Sequence, residues 1–165
     1  LEMARRRQPN PEKTELLSWI EEFVETFKQG AWADADIRVM VEPETTQVRI
    51  DKSQMSQVLT NLADNGLRYS ERNTGTQTLF LAGGVDAATD RPYLNVIDRG
   101  PGIEPSKVEA LFAPFKTTEV HGTGLGLYIA RELSEANRAR LTYARHADGG
   151  SCFRITFAHP DRITR

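Results

Sequence analysis

Apolar residues recur along this chain with helical spacing and then with strand spacing, in three successive rounds. Leu16, Leu17, Ile20, Phe23, Val24 and Phe27 predict an amphipathic helix, with Thr14 as its N-cap and an end near Gly30. The alternation in Ile37-Arg38-Val39-Met40-Val41 predicts a strand, and Gln47-Val48-Arg49-Ile50 a short partner across the Pro43-Glu44 turn. A second helix follows from about Lys52 to Tyr69, capped by Asp51, with Val58, Leu59, Leu62 and Leu67 on its apolar face. Ser70 to Thr76 reads as a polar loop. Gln77 to Val85 and Tyr93 to Ile97 read as strands separated by the turn-rich Asp86 to Pro92. Asp98-Arg99-Gly100-Pro101-Gly102 then halts regular structure, Pro105 opens a short helix through about Leu111, and Ala113 to Gly122 is a loop. A further long helix runs from Leu125 to Ala136 with Leu127, Ile129, Ala130 and Leu133 inward. Strands at Arg140 to His146 and Ser151 to Ala158 close the chain around an Asp148-Gly149-Gly150 hairpin turn. Helices alternating with strands in this way predict an α+β fold, a two-layer sandwich of a mainly antiparallel, mixed sheet with helices on one face.

Composition narrows the function classes. The 165 residues suffice for one domain with a core, expected over residues 12–165, with 1–11 as a preceding tail and linker. A net charge of −2 offers no bulk electrostatic attraction to nucleic acid. The basic run Arg5-Arg6-Arg7, broken by Pro9 and Pro11, reads as a helix end or linker, and suggests that a segment precedes it. The single Cys152 stands in an alternating apolar run and reads as a core thiol in a reducing compartment. No run approaches the roughly 18 apolar residues of a membrane span and no signal peptide is visible, so any membrane anchor would lie outside this sequence.

Three stretches carry chemistry. Asn61, Asn65 and Arg68 fall at i, i+4 and i+7 on one stripe of the second helix, with Gly66 among them. Asn and Gly are poor helix formers, so local stability does not account for them. An amide oxygen suits a hard cation, and a guanidinium beside it suits phosphate oxygens. Asp98 leaves a strand with Gly100 and Gly102 behind it; a fixed acid with room at its side suits a hydrogen bond from an exocyclic amine. His121-Gly122-Thr123-Gly124-Leu125-Gly126-Leu127 opens a helix, and glycines there uncover backbone N–H groups for an anion. A polar loop rather than a strand precedes these glycines, which argues against a dinucleotide fold. Phe112-Ala113-Pro114-Phe115 reads as an apolar latch at the root of the preceding loop.

In this order and spacing the pieces resemble the N, G1, F and G2 boxes of the catalytic ATP-binding domain of sensor histidine kinases, in the superfamily shared with DNA gyrase, Hsp90 and MutL. The likeness covers roughly Asp51 to Phe157, looks most like the NtrB/PilS-like branch, and implies the Bergerat (GHKL) fold, with residues 1–11 the tail of an upstream dimerisation helix and its linker. It implies ATP and Mg²⁺ as cofactors, with Asn65 the metal ligand through its side-chain oxygen and Asn61, Asn65 and Arg68 the catalytic set. Tyr69 would line the nucleotide pocket, Asp98 would bind the adenine amine, and Gly100, Gly102 and Ile103 would lie under the base. Gly122, Gly124 and Gly126 would supply backbone donors to phosphates, Lys116, Thr117, Thr123, Leu125 and Thr156 would complete the cofactor-binding set, and Ala113 to His121 would be a mobile lid. Arg68 stands where Lys is usual, Glu119 where a lid Lys is more common (with Lys116 as its substitute), and His121 reads as a lid-surface residue.

Family members that activate water, and the anti-sigma serine kinases, carry Glu four residues before the metal-ligating Asn; here that place holds Asn61, which cannot act as a base. The resemblance therefore implies γ-phosphoryl transfer to a histidine over hydrolysis. None of His121, His146 and His159 has the context of an acceptor, so the acceptor would lie on the upstream dimerisation domain. The implied partners are that domain and a response regulator of the PilR type, in type IV pilus regulation, with no nucleic acid and no membrane contact by this segment. The segment would be monomeric, and the whole kinase a homodimer with this part in the cytoplasm. Two other readings stay open: a non-catalytic nucleotide-dependent switch, and an anti-sigma-type serine kinase.

Overall fold

The computed structural model describes residues 7–114, 126–146 and 149–162. In chain order the elements are β1 (Glu12–Glu15), α1 (Leu16–Phe27), β2 (Asp36–Glu42), β3 (Gln47–Ile50), α2 (Lys52–Thr74), β4 (Thr78–Val85) and β5 (Pro92–Asp98). A 3₁₀ turn (Pro105–Lys107), α3 (Val108–Leu111), α4 (Gly126–Ala136), β6 (Arg140–Arg145) and β7 (Ser151–Thr156) follow. Five strands form one sheet in the order β2-β4-β5-β7-β6, in which only β2 and β4 run parallel. The α+β, one-sided architecture expected from the periodicity is the one observed.

Strand alternation turns Val41, Leu79, Leu81, Leu94, Val96, Leu141, Phe153 and Ile155 toward the helices. They bury against Leu16 and Ile20 of α1, Val58, Leu59, Leu62 and Leu67 of α2, and Leu127, Ala130 and Leu133 of α4. Ile129 is only partly buried. The opposite residues, such as Arg38, Met40, Phe80 and Ile97, face away from that core, and Met40 is 53% exposed.

Three local expectations are corrected. Thr14 does not cap α1: it lies in β1, its hydroxyl donates to the carbonyl of Glu12, and Glu15 occupies the cap position without a side-chain bond. The polar Glu12–Glu15 tetrad shows no strand alternation, yet it pairs antiparallel with β3, Glu12 opposite Ile50 and Glu15 opposite Gln47. Consequently β3 is not the hairpin partner of β2. The Pro43–Thr46 turn swings it away, so that Val48 and Ile50 still reach the core while β4 takes the place beside β2. Ser70 to Thr74 is not a loop either. The buried Ser70 hydroxyl donates to the Thr78 carbonyl and accepts from Arg99 N–H, which supports a polar last turn of α2. Gly75 then closes the helix at φ 79°, donating to the Glu71 carbonyl.

Candidate functional site

Helix α2 starts where the sequence predicts, because the Asp51 side chain accepts from Gln54 N–H at 3.0 Å. From there its apolar face lies on the sheet and its stripe of Asn61, Asn65 and Arg68 lies half-buried along one edge. Asn61 Nδ2 donates to the carbonyl of Gly126, the first residue of α4, at 3.0 Å. Arg68 Nη2 donates to Asn65 Oδ1 at 2.9 Å and pairs with Asp64 at 2.7 Å. Asp64 also accepts from the Trp32 indole, which fixes it as structural support for Arg68.

Gly66 is a helix-interior glycine with a steric reason. A Cβ there would stand 2.7 Å from Leu79 Cδ1 and 3.3 Å from Asp98 Cβ. Its absence lets α2 close directly onto the end of β5, which brings the amide stripe and the acid together. Asp98 is 2% exposed. Its Oδ1 accepts from Gly100 N–H at 2.8 Å and Ser151 N–H at 3.2 Å, while Oδ2 lies on the α2 side near Gly66. Burial pushes the Asp98 carboxyl up to about 6, and the two backbone donors pull the other way. The acid is thus oriented at one oxygen and leaves the other for a donor.

The backbone after Asp98 is held on both sides. A Cβ on Gly100 would meet Tyr69 Cβ at 2.7 Å, so this loop lies flat on α2. Gly102 has φ 84° and packs on the Arg145 guanidinium, which donates to the Pro101 carbonyl. The Tyr143 hydroxyl accepts from Ile103 N–H at 2.7 Å and shares a hydrogen bond with Ser151 Oγ at 2.9 Å. Arg72 lies over the Tyr69 ring, 5.8 Å from its centroid.

Among the expected site residues, Asn61, Asn65, Arg68, Tyr69, Asp98, Gly100, Gly102, Ile103 and Gly126 fall on this one region. Thr156 does not. It pairs with Tyr93, at the end of β5 remote from Asp98, with its side chain on the face away from the helices. The β7 residue opposite Asp98 is Ser151, which the sequence reading missed; its only sequence signal is its place directly after Gly149-Gly150. Tyr143 was missed too, because an aromatic in a strand gives no hint of where its hydroxyl lands. Lys116, Thr117, Gly122, Thr123, Gly124 and Leu125 lie outside the described residues, as do Phe115, Glu119, His121 and all of the expected lid beyond Pro114.

The donor set can be tested against Mg²⁺. Among the described residues no group of three or more His, Cys, Asp or Glu side chains could cage a metal. An amide oxygen such as Asn65 Oδ1 fits a different mode, in which Mg²⁺ takes one or two protein oxygens and fills its octahedron with phosphate and water. That oxygen has two lone pairs, and Arg68 uses one. A cleft of about 810 Å³ lies behind Asp98, lined by Arg38, Phe80, Ile97, Arg99 and Gly149. It opens on the helix-free side of the sheet; Asp98 and Gly100 line it as well, while Asn61, Asn65 and Arg68 do not, so it meets the candidate site only at the acid and the backbone after it.

A one-sided sheet, with an amide-bearing helix pressed on a buried strand-end acid, has the fold of the catalytic domain of a histidine kinase. The structure superposes on the ThkA catalytic domain with a TM-score of 0.76, at 22% identity, covering 91% of this chain and 96% of that one. It superposes on full-length ShkA in complex with AMPPNP at 0.74 and 22% identity, covering 90% and 31%. Residues 50–161 match the family model described as histidine kinase-, DNA gyrase B-, and HSP90-like ATPase, and the chain belongs to that family. It is 44% identical over 164 residues to the sensor protein kinase PilS of Pseudomonas aeruginosa, covering 99% of this chain and 31% of PilS. The chain thus spans about a third of the length of that relative.

Proposed function

We propose that this chain is the nucleotide-binding, phosphoryl-donating domain of a sensor histidine kinase, which passes the γ-phosphoryl of ATP to a histidine on its upstream dimerisation domain for relay to a response regulator. The observation that carries this reading is the contact of Asp98 with α2 at Gly66, which joins a purine-reading acid to a phosphate-reading stripe. Asp98 Oδ2 accepts the adenine amine, while Tyr69 and the flat backbone from Gly100 to Ile103 hold the base. Arg68, steadied by Asp64, neutralises phosphate charge. Asn65 would hold Mg²⁺ through Oδ1, and the ion would supply neutralisation of the phosphate charge. Lys116, Thr117, Gly122, Thr123, Gly124 and Leu125 are proposed to enclose the triphosphate from the α4 side.

Asn61 decides the reaction type. Its amide is committed to the Gly126 carbonyl and has no basic function, so nothing on this stripe deprotonates water four residues before Asn65. Transfer to an imidazole, already a strong nucleophile, needs alignment and charge neutralisation instead. This disfavours the hydrolytic and serine-kinase readings. The likeness to PilS supports a PilR-type regulator and a place in type IV pilus regulation, within the cytoplasmic part of a membrane-anchored homodimer. No helix among the described residues is long and apolar enough to cross a membrane.

The test is titration with ATP, ADP and GTP, with and without Mg²⁺, followed by transfer of labelled phosphate to a separately supplied acceptor domain. Adenine-selective, Mg²⁺-strengthened binding and an acid-labile label are expected. Equal affinity for GTP would remove Asp98 from its role, an acid-stable label would restore the serine-kinase reading, and binding without any transfer would favour a nucleotide switch.

A further inference from the structure

One buried carboxylate ties three parts of the chain together. Asp51 caps α2, is 3% exposed, and receives the Arg7 guanidinium on both of its oxygens, Nη2 to Oδ1 at 3.0 Å. Asn10 N–H donates to Oδ2 at 2.9 Å, and Gln54 Nε2 donates to the Arg7 carbonyl at 3.0 Å. On the other side, Asp51 N–H donates to Asn137 Oδ1 at 2.9 Å, and Asn137 Nδ2 donates to Gln54 Oε1 at 3.0 Å and to the Leu133 carbonyl at 2.9 Å. Asn137 directly follows α4, so the two helices are bridged by carboxamides at both ends: Asn137 here and Asn61 to Gly126 at the phosphate end.

We propose that Arg7 and Asp51 are positioning residues that lock the entering chain to α2 and α4, and so fix where a bound nucleotide stands relative to the segment preceding this domain. This rests on the phosphoryl-donor reading above. The half of the network formed by Asp51, Gln54 and Asn137 is buried and mutually hydrogen-bonded, so it tolerates one arrangement; Arg7, whose side chain is 53% exposed, docks onto it from outside. With the guanidinium bound at two oxygens and the Arg7 carbonyl at a third point, residue 7 cannot swivel on its side chain. The lock lies off the nucleotide-contacting stripe. Its loss therefore affects the distance to an acceptor carried by the same polypeptide, while affinity for nucleotide is left to residues it does not touch.

The experiment compares Arg7→Ala, Arg7→Lys and Asp51→Asn in the full-length kinase and in this chain alone. Asp51→Asn keeps an N-cap acceptor for Gln54 N–H, which guards against simple unfolding, and removes the paired charge together with the Oδ2 acceptor used by Arg7 and Asn10 N–H. The expected result is a loss of about tenfold or more in transfer within the full-length protein. Nucleotide Kd stays within about threefold, and transfer from this chain to a separately supplied acceptor is unchanged. Arg7→Lys retains a point charge without the fork and falls between wild type and Arg7→Ala. Hydrogen exchange gives a readout independent of catalysis: Arg7→Ala accelerates exchange at residues 51–55 and 133–139. Equal losses in both transfer formats, or a Kd that weakens in step with transfer, would mean that the network merely stabilises the domain and would overturn the proposal. So would unaltered exchange at those amides. A wild-type protein that binds no nucleotide would instead defeat the donor reading, while the exchange result still decides the lock.

Discussion

Replacing Asp98 by Asn separates what this acid does for a nucleotide from what it costs the fold. The carboxyl is 2% exposed, and burial raises it from 3.8 to about 6. At about 1.36 kcal/mol per pH unit, that gap is worth about 3 kcal/mol against the folded, ionised state. An acid whose folded pKa lies above its unfolded one favours folding most below about pH 3.8, and that contribution is lost as pH rises to about 6. Asn carries no charge, and its oxygen accepts from Gly100 and Ser151 as the carboxylate does. The variant should therefore be about 1–3 kcal/mol more stable than wild type at pH 8, with the difference closing toward pH 4. Its Nδ2 donor then faces the adenine amine, and losing a hydrogen bond to a charged acceptor costs about 1.5–3 kcal/mol, or roughly 10- to 100-fold in ATP affinity. Guanine presents a carbonyl at that point, so GTP should lose less. Urea unfolding at pH 8 and pH 4.5, with calorimetric titration of ATP and GTP, measures both effects. A variant less stable than wild type at pH 8, or one that binds ATP unchanged, refutes the reasoning.

Three further changes probe the same site. Asn65→Asp places a carboxylate against Arg68 at a 2.9 Å contact and adds negative charge near the phosphates, so Mg²⁺-dependent labelling of an acceptor should fall at least about tenfold; labelling at the wild-type rate would end the metal assignment. Gly66→Ala gains about 1 kcal/mol in helix propensity but forces a methyl to 2.7 Å from Leu79 Cδ1 in a closed core, for a net loss of up to about 2 kcal/mol and weaker ATP binding. Thermal denaturation with and without ATP decides it, and a more stable, tighter-binding variant would contradict the contact. Tyr143→Phe removes the acceptor for Ile103 N–H and a partner for Ser151, which should lower stability by about 1–2 kcal/mol and raise the Kd for ATP; exchange of the Ile103 amide should quicken, and an unaltered rate would show that the hydroxyl does not hold this loop.

Sequence periodicity was informative wherever one face of an element is buried. The inward sets on α1, α2 and α4 were legible because the period of an apolar face is set by backbone geometry. Pairing partners were not, since alternation says which way Val48 and Ile50 point and nothing about which strand lies beside them. Polar helix ends failed for a related reason: Ser70 is held in α2 by Thr78 of the next strand and by Arg99, both outside the helix whose periodicity was read. The site divides in the same way. Gly66 and the asparagines stood out because they are expensive in a helix, whereas Ser151 and Tyr143 are ordinary strand residues whose roles exist only after the β6–β7 hairpin is folded. Thr156 was assigned five residues from Ser151, and in an antiparallel ladder that distance is the length of the strand.

At position 66 of α2 the space a Cβ would take is occupied by Leu79 Cδ1 at 2.7 Å and Asp98 Cβ at 3.3 Å. The α2 wall beside Asp98 is therefore closed by the Leu79 and Asp98 side chains and leaves no room for a larger residue at position 66. A descendant that accepted a bulkier ring would have to find its room on the opposite wall, where Tyr143 and Arg145 tether Ile103 and Pro101 through single hydrogen bonds that can be given up one at a time. On the nucleotide-binding reading proposed above, base selectivity would be adjusted from the Tyr143 and Arg145 side.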